Sequence, residues 1–221
     1  MDVRRLPLFP LSTVLFPRMV LPLHIFEERY KVMLRYCEET EAPFGIVLIR
    51  EGEEVGGPVE PYPIGTEARI LRVAELEDER KLIIVQGRER FTTQRYLFSE
   101  PYLVGEVETL PIETEGTDSR LLGHVEVAFY RYLRMLKQAQ GLSVSISNLP
   151  EDAEGVAWMV AWGLQIDQKV KQVLLGVTSL QDLLLRERIL LEEENRLLFI
   201  LGSDAARRRL PPEEQGHISL N

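Results

Sequence analysis

The stretch IETEGTD, residues 112–118, marks the point where one hydropathy period stops and another begins. It is polar, contains a glycine and is flanked on both sides by patterned apolar sequence, so it reads as a linker. Immediately upstream, residues 102–110 place Leu103 and Val107 on one face and Glu106 and Glu108 on the other, the alternation of a half-buried strand. Residues 65–74 and 81–87 flank Glu77, Asp78, Glu79 and Arg80, a polar turn of hairpin length, and a further strand is expected over 90–96. The apolar run 44–49 has the length and Ile/Val content of a buried strand. Residues 51–63, rich in Gly, Pro and Glu, read as an exposed loop.

Working back to the N-terminus, residues 26–39 carry Phe26, Tyr30, Met33, Leu34 and Cys37 at helical spacing, with charges between them. Before that helix, residues 6–23 (LPLFPLSTVLFPRMVLPL) are apolar but interrupted by Pro7, Pro10, Pro17 and Pro22. Proline has no backbone donor, which predicts short edge strands and turns.

Downstream of the linker the period is 3.6. Leu121, Val125, Phe129, Tyr132 and Leu136 define one helix face, which Gly141 ends. A loop bearing Ser143, Ser145 and Ser147 leads to NLPED (148–152), a helix start with proline and acids in place. The helix that follows carries Trp158 and Trp162, both expected in the helical core. A short helix is predicted over 167–175. In a longer one, 179–201, leucine pairs recur every seven residues (Leu183/Leu184, Leu190/Leu191, Leu197/Leu198). The expectation is therefore an α+β chain: an antiparallel β-rich subdomain over 1–112, a helical bundle over 113–202 and a disordered tail over 203–221.

Composition bounds the function classes. The 221 residues are 45% hydrophobic and 28% charged, as in ordinary globular proteins. The formal charge of −9 is spread evenly, with 14 basic against 19 acidic side chains up to residue 112 and 12 against 16 beyond it. A chain that must displace phosphate counterions needs a cationic surplus, so nucleic acid is disfavoured as a partner. The single cysteine, Cys37, excludes an intramolecular disulfide and a Cys-rich zinc site, and fits a reducing, cytoplasmic setting. The prolines break up the N-terminal apolar stretch, and no run of about 20 apolar residues occurs, so neither a signal peptide nor a membrane span is expected.

Motifs for catalysis are missing. His24, His124 and His217 lack the one-turn spacing of a zinc hydrolase, and the triplet His124, Val125, Glu126 lacks the cysteines a zinc deaminase would add. There is no phosphate-cradling G-x-x-x-x-G-K-[ST] loop and no G-x-S-x-G elbow. Glutamate clusters such as Glu192 to Glu194 read as solvated helix faces, and Cys37, on an apolar helix face, as a small core hydrophobe. Arg69, Arg72, Lys81, Arg88, Arg90 and Arg95 gather on the predicted sheet among Glu67, Glu75, Glu77, Glu79 and Glu89. That mixture favours cross-strand ion pairs over a basic RNA-binding face. Neither a metal nor a cofactor is expected.

Three blocks carry a resemblance: LPLFPLSTVLFPRMVLPLHIFEERY (6–30), YPIGTEARILRVAELEDERKLIIVQGRERFTTQR (62–95) and EPYLVGEVETLP (100–111). Together they resemble the N-terminal domain of Lon proteases. The helical remainder, including VKQVLLGVTSLQDLLLRERILLEEE (170–194), is similar in layout, with Gly176 where the family often has an acid. The resemblance implies a PUA-like β fold joined to a helical bundle, without the ATPase and Ser/Lys peptidase modules. It further implies a non-enzymatic module that binds unfolded or hydrophobic polypeptide segments, an adaptor or holdase, with a Lon-type or other protease as a candidate partner. RNA binding by a PUA-like sheet is the alternative. The residues expected to contact polypeptide are Phe9, Phe16, Met19 and Leu21, because the prolines around them hinder full strand pairing and would leave an apolar patch outside the core.

Overall fold

In the computed structural model, the described residues are 3–54, 56, 57, 59–98, 101–140 and 149–209. The order of elements is β1 (Arg4–Leu11), β2 (Val20–Ile25), α1 (Glu28–Thr40), β3 (Phe44–Gly52), β4 (Val59–Glu75), β5 (Lys81–Phe98), β6 (Leu103–Thr109), α2 (Ser119–Gln140), α3 (Ala153–Gly163), α4 (Gln168–Leu175) and α5 (Leu180–Arg209). The α+β expectation holds, with one difference: β1 and β3 run parallel, so the sheet is mixed.

Five strands close on themselves, because β1 pairs with β3, β3 with β4, β4 with β5, β5 with β6 and β6 with β1. The long strand β5 makes this closure. Its first half, 81–86, pairs with β2 and its second half, 91–98, with β6. The strands expected at 81–87 and 90–96 are thus one continuous strand. Likewise β3 and β4 reach to Gly52 and Val59, so most of the loop expected over 51–63 is strand. Strand β1 lies inside the sheet rather than at its edge. It divides its partners, Arg4–Leu8 pairing with β6 and Leu8–Leu11 with β3, so Pro7 and Pro10 each lie in a stretch paired on one side only. Strand β2, with Pro22, is the edge strand the prolines predicted.

Leu6, Leu8, Val47, Phe91 and Val107 fill the barrel. A Cβ at Gly45 would stand 2.6 Å from Phe91 Cζ, so the glycine makes room for the ring. A second core forms where α1 lays Tyr30, Met33, Leu34 and Cys37 on Phe9, Phe44, Ile46 and Ile83. The third core is helical, centred on Phe129, Tyr132, Trp158, Leu183, Leu184 and Leu191, and it draws in Val14, Phe16 and Leu48 from the β half. Trp162, in contrast to Trp158, is 38% exposed, which corrects the expectation that both rings enter that core. Helices α2 and α5 run side by side in the same direction: the Asp118 amide donates to Gln181 Oε1 at their starts, and Asn195 Nδ2 donates to Ala128 O further along.

The linker is pinned at its near end. Glu113 N donates to Thr178 O, and Leu180 N donates to Glu113 O. At the other end of the helical half, α5 runs to Arg209, so 203–209 belong to a helix rather than to the tail expected from residue 203. Ala205, Ala206 and Arg207 to Arg209 are strong helix formers, and arginines favour a helix C-terminus. The serine loop at Ser143, Ser145 and Ser147, and residues 210–221, lie outside the described residues.

Candidate functional site

Between β1 and β2 the chain crosses from the barrel to the helices as a buried strap. Val14, Leu15, Phe16 and Pro17 are all buried. Thr66 Oγ1 donates to Leu15 O at 2.6 Å, and Val14 N donates to Gln168 Oε1 at 3.0 Å. The strap turns at Arg18, whose φ of 65° is left-handed, and is held by Arg18 N to Gly87 O and Gly87 N to Met19 O. A Cβ on Gly87 would lie 2.1 Å from Phe16 O, so only glycine permits the approach. The Arg18 guanidinium then makes two bonds to Asp152, whose carboxylate also caps α3 through Gly155 N. That pairing with Arg18 holds the Asp152 carboxyl below its ordinary pKa.

This strap accounts for the fate of the four residues expected to contact polypeptide. Phe9 and Phe16 are core residues, 5% and 0% exposed. Phe9 packs on Tyr30 with centroids 4.1 Å apart, and Phe16 on Trp158 at 6.1 Å. The prolines route the chain through the space between barrel and bundle rather than over the surface, and burial follows from that path. Met19 and Leu21 are half-buried against the core under α1.

The outward residues are those between them. On β2, Val20 is 52% exposed and Pro22 and His24 are also exposed. Register puts Pro22 across from Ile84, and Ile84 across from Arg72. His24 lies across from Leu82, and Leu82 across from Ala74. Directly paired residues share a face, so Val20, Pro22, Ile84, Leu82 and Ala74 form one apolar surface over three strands, with His24 and Arg72 among them. Leu71, 48% exposed in the bulge between Ile70 and Arg72, extends it. Next to this surface is the outer edge of β2, which pairs with no further strand among the described residues. Sequence reasoning missed Leu82 and Ile84 because the run LIIV at 82–85 is apolar on both faces. Alternation emerges only once Ile83 and Val85 are buried and Leu82 is not.

Three of the six basic residues gathered on the sheet are engaged within the chain. Arg90, 3% exposed, donates to the carbonyls of Leu175, Val177 and Pro111. Burial brings its pKa down to about 10. Arg95 pairs with Glu106 at 3.2 Å and Lys81 with Glu38 at 3.0 Å. Among the described residues no group of three or more His, Cys, Asp or Glu side chains is placed to hold a metal ion. Burial pushes the Cys37 thiol up to about 11, the direction opposite to an activated nucleophile. Among the described residues no helix is long and apolar enough to cross a membrane.

Comparison with known proteins places this geometry in a family. A profile described as the ATP-dependent protease La (LON) substrate-binding domain matches residues 5–193. The crystal structure of a Lon N-terminal domain protein from Xanthomonas campestris superposes with a TM-score of 0.66 at 27% identity, over 83% of this chain and 96% of that one. The N-terminal domain of Mycobacterium avium complex Lon protease shares the fold, with a TM-score of 0.60 at 17% identity over 91% of this chain and 99% of that one. The Lon protease of Porphyromonas gingivalis is 35% identical over 101 residues, and that of Desulfosudis oleivorans 26% over 204 residues, or 45% and 88% of this chain. These matches span 12% and 24% of the two proteases' lengths. With nearly all of its closed barrel, its buried proline strap and most of its helical half inside the matched region, the chain belongs to the family of LON substrate-binding domains.

Proposed function

We propose that this chain recognises non-native polypeptide through the outer face of β2 and the β4–β5 hairpin, acting as an adaptor or holdase in the cytoplasm without chemistry of its own. The observation that carries the reading is the register just described, which sets Val20, Pro22, Ile84 and Leu82 side by side on adjacent strands beside that outer edge. An exposed apolar surface of this kind is where an extended segment with hydrophobic side chains would bind, its backbone lying along the edge strand. Pro22 withholds one donor from that edge, which favours side-chain contacts over a full added strand. The family description, a substrate-binding domain, supports the same reading, and a Lon-type or other protease is the partner that would receive the bound segment. Met19 and Leu21 support the surface from below. RNA is the weaker reading, since Arg90, Arg95 and Lys81 are engaged within the chain and the formal charge is −9.

The test is titration of a reduced, unfolded client protein against the wild type and a Val20→Asp, Leu82→Asp variant over a salt series. Binding that resists salt and falls in the variant supports the proposal. A folded variant that binds as well as the wild type, or a wild type that binds only an RNA oligomer and releases it steeply with salt, overturns it.

A further inference from the structure

A groove of about 620 Å³ opens between α2 and α5, on the helical half and away from the sheet surface. Its α2 wall presents His124, Val127 and Arg131 and its α5 wall Arg188, Arg196 and Phe199, spacings of three, four and seven to eight residues that keep each set on one helix face. Two features set it apart from an ordinary gap between helices. The first is charge. In a protein of formal charge −9, three guanidiniums converge here against the single carboxylate of Glu192, which stands 4.0 Å from Arg188. Among the described residues Arg131 and Arg196 make no ion pair. The second is the floor. Asn195 is 5% exposed, spends its Nδ2 on Ala128 O at 3.1 Å, and leaves Oδ1 buried without a donor. Buried acceptors are nearly always satisfied, so this orphan under the groove is unusual among the described residues. Between these polar groups Val127 and Phe199 stand 70% and 63% exposed, apolar surface with no partner in the fold.

We infer that the α2–α5 groove binds an acidic peptide segment with interspersed apolar side chains. Its carboxylates would meet Arg131, Arg188 and Arg196, and an apolar side chain would cover Val127 and Phe199. The guanidinium fork suits carboxylates in pairs. The volume lies within the range of pockets that enclose a few side chains. This is a second surface, chemically unlike the mainly apolar face of β2 and the β4–β5 hairpin, and it selects chiefly by charge where that face selects chiefly by apolar contact.

The experiment uses the full chain and a short fluorescein-labelled peptide of alternating glutamate and leucine, followed by fluorescence anisotropy. Peptides with glutamine or lysine in place of glutamate serve as controls. The acidic peptide is expected to bind more tightly than either, to weaken as salt rises, and to lose about tenfold in affinity or more in an Arg131→Glu, Arg196→Glu variant. Both arginines are exposed, so the variant keeps the fold, which circular dichroism checks. The Val20→Asp, Leu82→Asp variant should bind the acidic peptide as the wild type does, and the arginine variant should still bind the unfolded client, which separates this proposal from the preceding one. Equal binding of the acidic and lysine peptides, or an acidic peptide indifferent to the arginine variant, overturns the inference. A wild type that sediments as a dimer and becomes monomeric in the arginine variant also overturns it, by making a second copy the occupant.

Discussion

The guanidinium of Arg90 lies over the ring of Trp158, 4.8 Å from its centroid, and so joins the barrel wall to the heart of the helical bundle. The same side chain donates to three carbonyls: Leu175 and Val177, at the C-terminal end of α4, and Pro111, at the start of the linker. A cation at a helix C-terminus meets unpaired carbonyls and the negative end of the helix dipole. One buried arginine thus holds the junction of both halves.

Arg90→Met should therefore cost about 3 kcal/mol or more, because it takes the donor from three carbonyls and an unsatisfied buried polar group costs about 1 to 3 kcal/mol. Arg90→Lys should recover only part of this, because an ammonium cannot reach three carbonyls in one plane. Chemical denaturation followed by Trp158 fluorescence measures both. A loss below 1 kcal/mol for Arg90→Met would show that the two halves are held by apolar packing alone.

Phe16 and Val20, four positions apart in the N-terminal segment, should behave in opposite ways. Phe16→Ala removes a fully buried ring packed on Trp158 and should cost about 3 to 5 kcal/mol while saying nothing about binding. Val20→Ser, at an exposed position, should change stability by about 0.5 kcal/mol or less. Its effect should be on affinity for an unfolded client, about 1 kcal/mol for one lost anchor at the edge of an apolar surface. Paired denaturation and binding curves separate the two effects.

Cys37 links alkaline pH to stability. Its folded pKa, raised by burial and secondarily by Glu38, is about 11 against an ordinary 9. A group whose folded pKa is raised contributes stability fully below the unfolded value and loses it as pH climbs through the folded one. Between pH 9 and 11 the wild type should lose up to about 3 kcal/mol relative to Cys37→Ala. Tyr30, pushed up to about 12 mainly by burial, acts in the same direction, while Arg90, brought down to about 10, acts in the opposite one. The difference between wild type and Cys37→Ala isolates the thiol. At pH 8 the thiol should react slowly with a disulfide reagent unless denaturant is added.

How far the sequence is legible depends on whether local pattern or global closure decides each feature. Helix α2 was readable residue by residue, because Leu121, Val125, Phe129, Tyr132 and Leu136 all bury as their spacing requires. The closure of the barrel was not, because it depends on β5 running unbroken through Gly87 to Arg90, a segment that looks like a turn locally but is held by β4 and the strap. The candidate surface was missed for the same reason. Proline marks where a strand is interrupted, but whether Phe16 or Val20 faces solvent is set by which element lies behind it, and the element behind Phe16 is Trp158, 142 positions along the chain.

The leucine repeat of α5 hides the least expected residue. Glu187 sits on the same helix face as Leu183, Leu184 and Leu191, is 0% exposed, and has both carboxyl oxygens buried without a hydrogen-bond partner among the described residues. Burial raises its pKa well above the ordinary value, with no charged neighbour contributing. Burial therefore favours the neutral form of Glu187 in the folded protein, while the unfolded chain ionises it around the ordinary value of 4.5. Its contribution to stability is complete below that pH and is lost as pH rises toward the raised folded value. Glu187→Leu should thus raise stability at pH 7.5, by about 1 to 3 kcal/mol if it relieves one unsatisfied buried polar group. The gain should shrink at pH 4, where both states of the wild type are largely protonated. Glu187→Gln, which keeps the shape and a polar head, should remove the pH dependence and recover less of the stability. Urea melts of the three proteins at the two pH values decide the matter. A Glu187→Leu protein that is less stable than wild type at pH 7.5 would mean that the carboxyl has a partner when the chain is in solution.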